Sequence, residues 1–297
     1  MKRKIVQQGP TTMMISLPIG WVRKYGISKG YEIDIEEKGR ELLVNSGKPP
    51  AKTKAEIKID SEDGLYIWRT LQSFYVAGFD EIKVYYTSKT ILDKIQESLT
   101  YYLIGFEMVS QEKDFCIIKA VSAELDEEFS TVLKRVFQNI LQMSETLTSV
   151  LNGEKDIEIM RNLERINNRH VIYLRRILIK EKKNDKRTPF LYTIVDYLEK
   201  IANEYKYILF DSKKSKKSFK EFVKIYSSID KLVKEVYDVY YSYSEEKAKK
   251  IIAERIRAEK LKPFFEHDPG LTHDLMNISV FIRNVLSQRM ILERIKE

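Results

Sequence analysis

The stretch "QGPTTMMISLPIGWVRKYGISKGYEIDI", Gln8 to Ile35, decides how the N-terminal part of the chain folds. It starts as a strand: Met13, Met14 and Ile15 lead through Ser16 to Leu17, and Pro18 then interrupts the run. Proline removes a ladder hydrogen bond, so a central strand ends where it stands. The same residue suits the first turn of a helix, where its missing N–H would find no partner anyway. The pattern therefore predicts a strand over Thr12 to Leu17 that passes into a short helix from Pro18 to about Tyr25. Gly26 follows, at the position just past a helix end where a positive φ is commonly needed.

Working outward, Lys4 to Gln8 reads as a first strand, and "GPTT" is the turn between the two. Tyr31, Ile33 and Ile35 alternate with Glu32, Asp34 and Glu36, a strand over Tyr31 to Glu36 with one wet face. "EKGR" turns the chain, and Glu41 to Val44 returns as the hairpin partner. The unit, residues 1–46, is thus ββαββ. A lone copy of this size has a marginal core, and dimerisation is the usual remedy. "NSGKPPAKTK", Asn45 to Lys54, joins Gly, a Pro pair and lysines, the composition of a linker.

Residues 55–122 read as a small α/β domain of order βαβαββ. "AEIKID" and "EIKVYY" are strands, and the helix between them, Glu62 to Ala77, spaces Leu65, Trp68, Leu71, Phe74 and Tyr75 along one face. Thr90 to Leu103 is a second helix, with Ile91, Ile95, Leu99 and Leu103 in register. "GFEMVSQEKDFCIIKAV" is a hairpin turning at Glu112-Lys113. Residues 125–297 read as about six helices, with breaks near Asn152-Gly153, Asn184 to Pro189, Asp211 to Lys217, Ser242 to Ser244, and Lys262 to Gly270. The expected class is multi-domain α+β: a small β-rich head, a small α/β middle domain and a C-terminal helical bundle.

Composition narrows the function. Of 297 residues 43% are hydrophobic, enough for a sizeable core, and 18 tyrosines argue against disorder. The single cysteine, Cys116, excludes an intramolecular disulfide and any multi-cysteine zinc site, and its place in "DFCIIKA" reads as a buried structural thiol. No run approaches the length of a membrane span, and "MKRKIVQQG" lacks the apolar core of a secretory signal, so a soluble, cytoplasmic protein is expected. The net charge of +8 leans toward an acidic partner such as nucleic acid. The lysine-rich runs "KEKKNDKR" and "SKKSKKS" read first as solvated helix ends, and second as phosphate-contacting patches.

No His-Glu-x-x-His, glycine-rich phosphate loop or Gly-x-Ser-x-Gly occurs, and no carboxylate pair stands out as an acid–base dyad, so no enzyme is expected. The three histidines are His170, His267 and His273. The last two flank "DPG", and beside Asp268 and Asp274 they read as surface or capping residues rather than metal ligands. "LERINN" at Leu163 to Asn168 returns as "LEKIAN" at Leu198 to Asn203. In each copy a Glu and an Asn four apart share one side of a helix, so two neighbouring helices could together present Glu164, Asn168, Glu199 and Asn203. In the head, Arg3 and Lys4 lie on or before the first strand, and Arg23 and Lys24 on the short helix. These residue types contact phosphates, and arginine also reads base edges.

The strand entering "SLP", the helix "WVRKYGI" and the "KG" before a hairpin resemble the AbrB/SpoVT family of swapped-hairpin DNA-binding domains. The longer glycine-to-"SLP" entry resembles the variant in archaeal-type PhoU-like phosphate-uptake regulators. "LQSFYVAGFDEIKVYY", "YYLIGFEMV" and the paired "LERINN" and "LEKIAN" helices extend that likeness over nearly the whole chain. The resemblance implies an interleaved homodimer whose DNA contacts match Arg3, Lys4, Arg23 and Lys24 by position. It implies a helical domain that serves as sensor or as docking part for a phosphate-transporter or signalling protein. It also implies carboxylate motifs that gather metal ions, from which this chain departs: Asn168 and Asn203 stand where Asp is usual. An amide oxygen can ligate a hard cation but brings no charge. No metal and no cofactor is therefore expected. The expected function is a homodimeric regulator of transcription that binds double-stranded DNA, in phosphate homeostasis. The rival reading is an adaptor that docks on a transporter or kinase and uses the head only to dimerise. An antitoxin ranks third.

Overall fold

A computed structural model describes residues 1–47, 52–121, 129–152, 154–180, 185–212, 219–253 and 269–295. The chain is mixed α+β and forms two compact units, Met1–Lys52 and Thr53–Glu297.

In the first unit, β1 (Ile5–Gln8) pairs antiparallel with β2 (Thr12–Ile15), Ile5 opposite Ile15 and Val6 opposite Met14. Helix α1 (Ile19–Tyr25) starts at Pro18, whose carbonyl accepts the first helical bond from Val22 at 3.0 Å. It stops at Gly26, whose φ of 61° lies in the left-handed region that a side chain disfavours. Strands β3 (Asp34–Lys38) and β4 (Glu41–Asn45) close a second antiparallel hairpin. The third strand begins at Asp34 rather than at Tyr31. Tyr31 is spent on a turn: its N–H bonds the Ser28 carbonyl at 3.1 Å, Gly30 takes φ 85°, and its hydroxyl reaches the Ser46 carbonyl at 3.0 Å. None of the described residues 1–47 is buried.

In the second unit, β5 (Lys54–Ile59), α2 (Gly64–Val76), β6 (Glu81–Tyr86), α3 (Lys89–Tyr102), β7 (Phe106–Gln111) and β8 (Phe115–Ala120) follow in the order βαβαββ. The four strands make one sheet of order β5-β6-β8-β7, with β5 and β6 parallel and the other pairings antiparallel. The parallel pair is the one joined through a helix, as a crossover requires. Both helices carry their own start signals: the Asp63 carboxylate accepts from the N–H groups of Leu65 and Tyr66, and the Ser88 hydroxyl from that of Ile91. One face of the sheet is the core side, with Ile82, Val84, Tyr86, Cys116 and Ile118 buried. Burial pushes the Cys116 thiol up to about 11, which suits a packing residue and not a nucleophile.

Six helices follow among the described residues: α4 (Phe129–Leu151), α5 (Ile157–Lys180), α6 (Thr188–Ser212), α7 (Phe219–Tyr241), α8 (Glu245–Ala253) and α9 (Pro269–Leu292). Segments 55–122 and 125–297 both lie within the unit Thr53–Glu297. Helix α5 packs on both α2 and α3, and a single hydrophobic core runs from the sheet into the bundle. The joint is polar as well. Arg176 of α5 donates to the Tyr75 carbonyl at 2.6 Å and to Asp80 at 3.3 Å, and lies over the Tyr75 and Phe106 rings. Asp80 also accepts from the Thr53 N–H at 3.0 Å and from Lys180. Among the described residues no helix is long and apolar enough to cross a membrane.

Candidate functional site

The four cations named in the head are all exposed. Arg3 and Lys4 lie just ahead of β1, and Arg23 and Lys24 in the last turn of α1. Two turns of helix are held by Pro18 at one end and Gly26 at the other, so Arg23 and Lys24 are carried on a rigid element. Trp21 packs on Tyr25 with ring centroids 5.5 Å apart, and the Lys24 ammonium lies 5.4 Å from the Tyr25 ring. No carboxylate among the described residues pairs with any of the four. Positive charge at a helix C-terminus also complements the helix dipole, which gives Arg23 and Lys24 a local role in α1 whatever they bind.

The apolar residues of the same unit are as open as the cations. Ile5, Met13, Ile19, Ile35 and Leu42 are each more than three-fifths exposed. Both sheets of the unit are two-stranded, so every strand keeps an unpaired edge. A two-stranded hairpin is marginal alone in water, and open edges beside apolar side chains invite pairing.

In the helical part, α5 and α6 pack on each other, as the repeat requires, but the four polar positions do not converge as a set. Glu164 accepts from Asn168 at 2.9 Å and from the Lys206 ammonium at 2.8 Å, and Lys206 also reaches the Asn203 amide oxygen at 3.4 Å. Glu199 is drawn elsewhere. It accepts at 2.6 Å from Arg175, which also bonds Asp196 at 3.0 Å. Lys200 completes that group on Asp196 at 2.7 Å. Each carboxylate of the two repeats thus has a cation of the chain itself beside it. A multinuclear metal cluster needs several carboxylates whose charge is free to meet the ions, and this donor set does not fit one. Sequence spacing places Glu and Asn on a common side of a helix, but not Lys206 or Arg175 among them.

Of the histidines, His267 and its neighbour Asp268 lie outside the described residues. His273 stands in the second turn of α9, and its side chain is 71% exposed, as a surface residue would be. Its neighbour Asp274 is buried, and so is Glu204 of α6, which the sequence reading does not single out. One signal for Asp274 was present: it falls in the stripe Leu271, Asp274, Ile278, Ile282, Val285, all buried on one side of α9. A carboxylate in an otherwise apolar stripe marks a buried acid.

Comparison of the chain with protein-family models, with curated proteins and with solved structures finds no match.

Proposed function

We propose that the protein is a homodimeric DNA-binding regulator of transcription, acting in phosphate uptake or homeostasis, with the helical unit as its sensing or docking part. One observation carries the reading. The first unit buries none of its described residues, yet offers apolar strands with open edges and four exposed cations unpaired by any described carboxylate. Such a unit gains a core by joining a second copy. A two-fold pair doubles the cations on one scaffold, and phosphates are the partners that arginine and lysine neutralise. The phosphate context comes from the likeness of the "LERINN" and "LEKIAN" helices to phosphate-uptake regulators and from nothing else. The protein is read as a regulator without catalytic activity, working in the cytoplasm.

The rival, an adaptor whose head only dimerises, is favoured by the local role of Arg23 and Lys24 at the end of α1. The experiment that separates them is duplex-DNA binding by the full chain, followed by fluorescence anisotropy, for the unmodified protein and for Arg23→Ala/Lys24→Ala. Loss of binding in the double variant, with the dimer intact, supports the regulator. Unchanged binding, or none in either protein, supports the adaptor.

A further inference from the structure

Two buried carboxyl groups in the second unit lack the cation that several half-buried acids of that unit have. Glu204 of α6 is 7% exposed and Asp274 of α9 is 4% exposed. Glu204 Oε1 accepts from Asn277 Nδ2 at 3.2 Å, and Asp274 Oδ1 stands 3.5 Å from His273 Nδ1. Their other oxygens, Glu204 Oε2 and Asp274 Oδ2, are buried with no N–H or hydroxyl donor beside them, and the two carboxyls stand within hydrogen-bonding reach of each other. No lysine or arginine among the described residues pairs with either. Elsewhere in the unit, Glu164 of α5 has Lys206, Glu199 of α6 has Arg175, and Asp80 has Arg176 and Lys180. An unpaired buried carboxylate is costly, so the protein either neutralises it with a proton or supplies a cation. Burial pushes the Glu204 carboxyl up to about 7, against the opposing pull of the Asn277 hydrogen bond.

The geometry points to a cation: we infer that Glu204, His273 and Asp274 bind one divalent transition-metal ion, of which zinc is the type, where α6 meets α9. One donor atom from each of the three residues lies within 4.8 Å of the others. A tetrahedral zinc ion with ligands at about 2.1 Å holds its donors roughly 3.4 Å apart. The two carboxylates are fixed by helix packing. The remaining closure falls to His273, whose ring is exposed beside them. One imidazole nitrogen with two carboxylate oxygens favours zinc or a neighbouring transition metal over magnesium or calcium, which take oxygen ligands. Asn277, four residues after His273, holds Glu204 Oε1 and lies 3.3 Å from the imidazole, and so orients both ligands. Asp211, two turns beyond Glu204 on α6, adds negative charge. Its carboxylate lies so close to Gly270 that a side chain there would have to displace it.

The site is separate from the head and does not depend on the DNA-binding reading. The test uses the full-length chain, stripped with a chelator and dialysed, then titrated with zinc chloride by calorimetry. One equivalent per chain is expected to bind, with a rise in the midpoint of thermal unfolding. His273→Ala removes an exposed side chain and leaves the fold alone, and it is expected to weaken zinc by at least about tenfold. Glu204→Gln is expected to abolish saturable binding. No saturable binding by the unmodified chain would mean that the carboxyl pair only holds a proton, and would overturn the inference. So would binding that His273→Ala leaves unchanged. Because His273 is at the surface, that variant decides the matter even where Glu204→Gln fails to fold.

Discussion

Asp80 shows how much one side chain decides in the second unit. Burial alone would raise its carboxyl, but hydrogen bonds from Lys180 and from the Thr53 backbone outweigh that and hold it below the ordinary carboxylate range. Stability from Asp80 is fully present above the unfolded value near 3.8 and is lost as pH falls through the lower folded value. Asp80→Asn should therefore flatten the acid limb of the stability curve, measured by urea unfolding between neutral and strongly acidic pH. Arg176 is the other half of this hub. Its removal strips the Tyr75 carbonyl and one partner of Asp80, so Arg176→Ala should lower unfolding free energy by about 3 kcal/mol, the range for breaking a buried pair. Lys206 matters for a different reason. Its ammonium stands beside Glu164, so Asn168→Asp with Asn203→Asp should still not create a multinuclear cluster. Elemental analysis should show no more metal in that double variant than in the unmodified chain. Two or more metal equivalents in the unmodified chain would contradict the account of these helices.

The elements of the head have strong local signals and weak burial. Pro18 and Gly26 bound α1 as their backbone chemistry requires, and Gly26→Ala, forced to hold φ 61°, should destabilise that end by about 1 kcal/mol. The strands were legible from alternation, but β3 was shifted because Tyr31 continues the alternation while its backbone is engaged in a turn. Hydrophobic period reports faces, and a turn hydrogen bond does not alter it. Ile5 and Ile15 face each other across the hairpin and are both exposed. Ile5→Glu with Ile15→Glu should shift the protein from a dimer to a species of the 35.1 kDa chain mass in sedimentation velocity. A monomer before substitution at micromolar concentration would remove the basis for the dimer and for its DNA geometry.

At the scale of the whole molecule the salt dependence of DNA binding is the broadest check. Four cations per chain, doubled by a dimer, allow a log–log slope of up to about −7. Arg23→Ala with Lys24→Ala should flatten it and weaken binding to all sequences alike. Deleting the lysine-rich runs around Lys182 and Lys216, which lie outside the described residues, should leave the slope in place. The reverse result would make the head a dimerisation module. By itself the sequence determined the ββαββ head, the βαβαββ segment and the helices after it, because each element is encoded by spacing within its own residues and by the Pro, Gly, Asp and Ser that bound it. Only the tertiary structure decided that the βαβαββ segment and the helices make one unit, that Arg175 draws Glu199 away and Lys206 meets Glu164, and that Glu204 and Asp274 share a buried face. Such pairings join residues tens to a hundred positions apart. They depend on the rotation and offset of one helix against another, and periodicity along a single helix leaves both free.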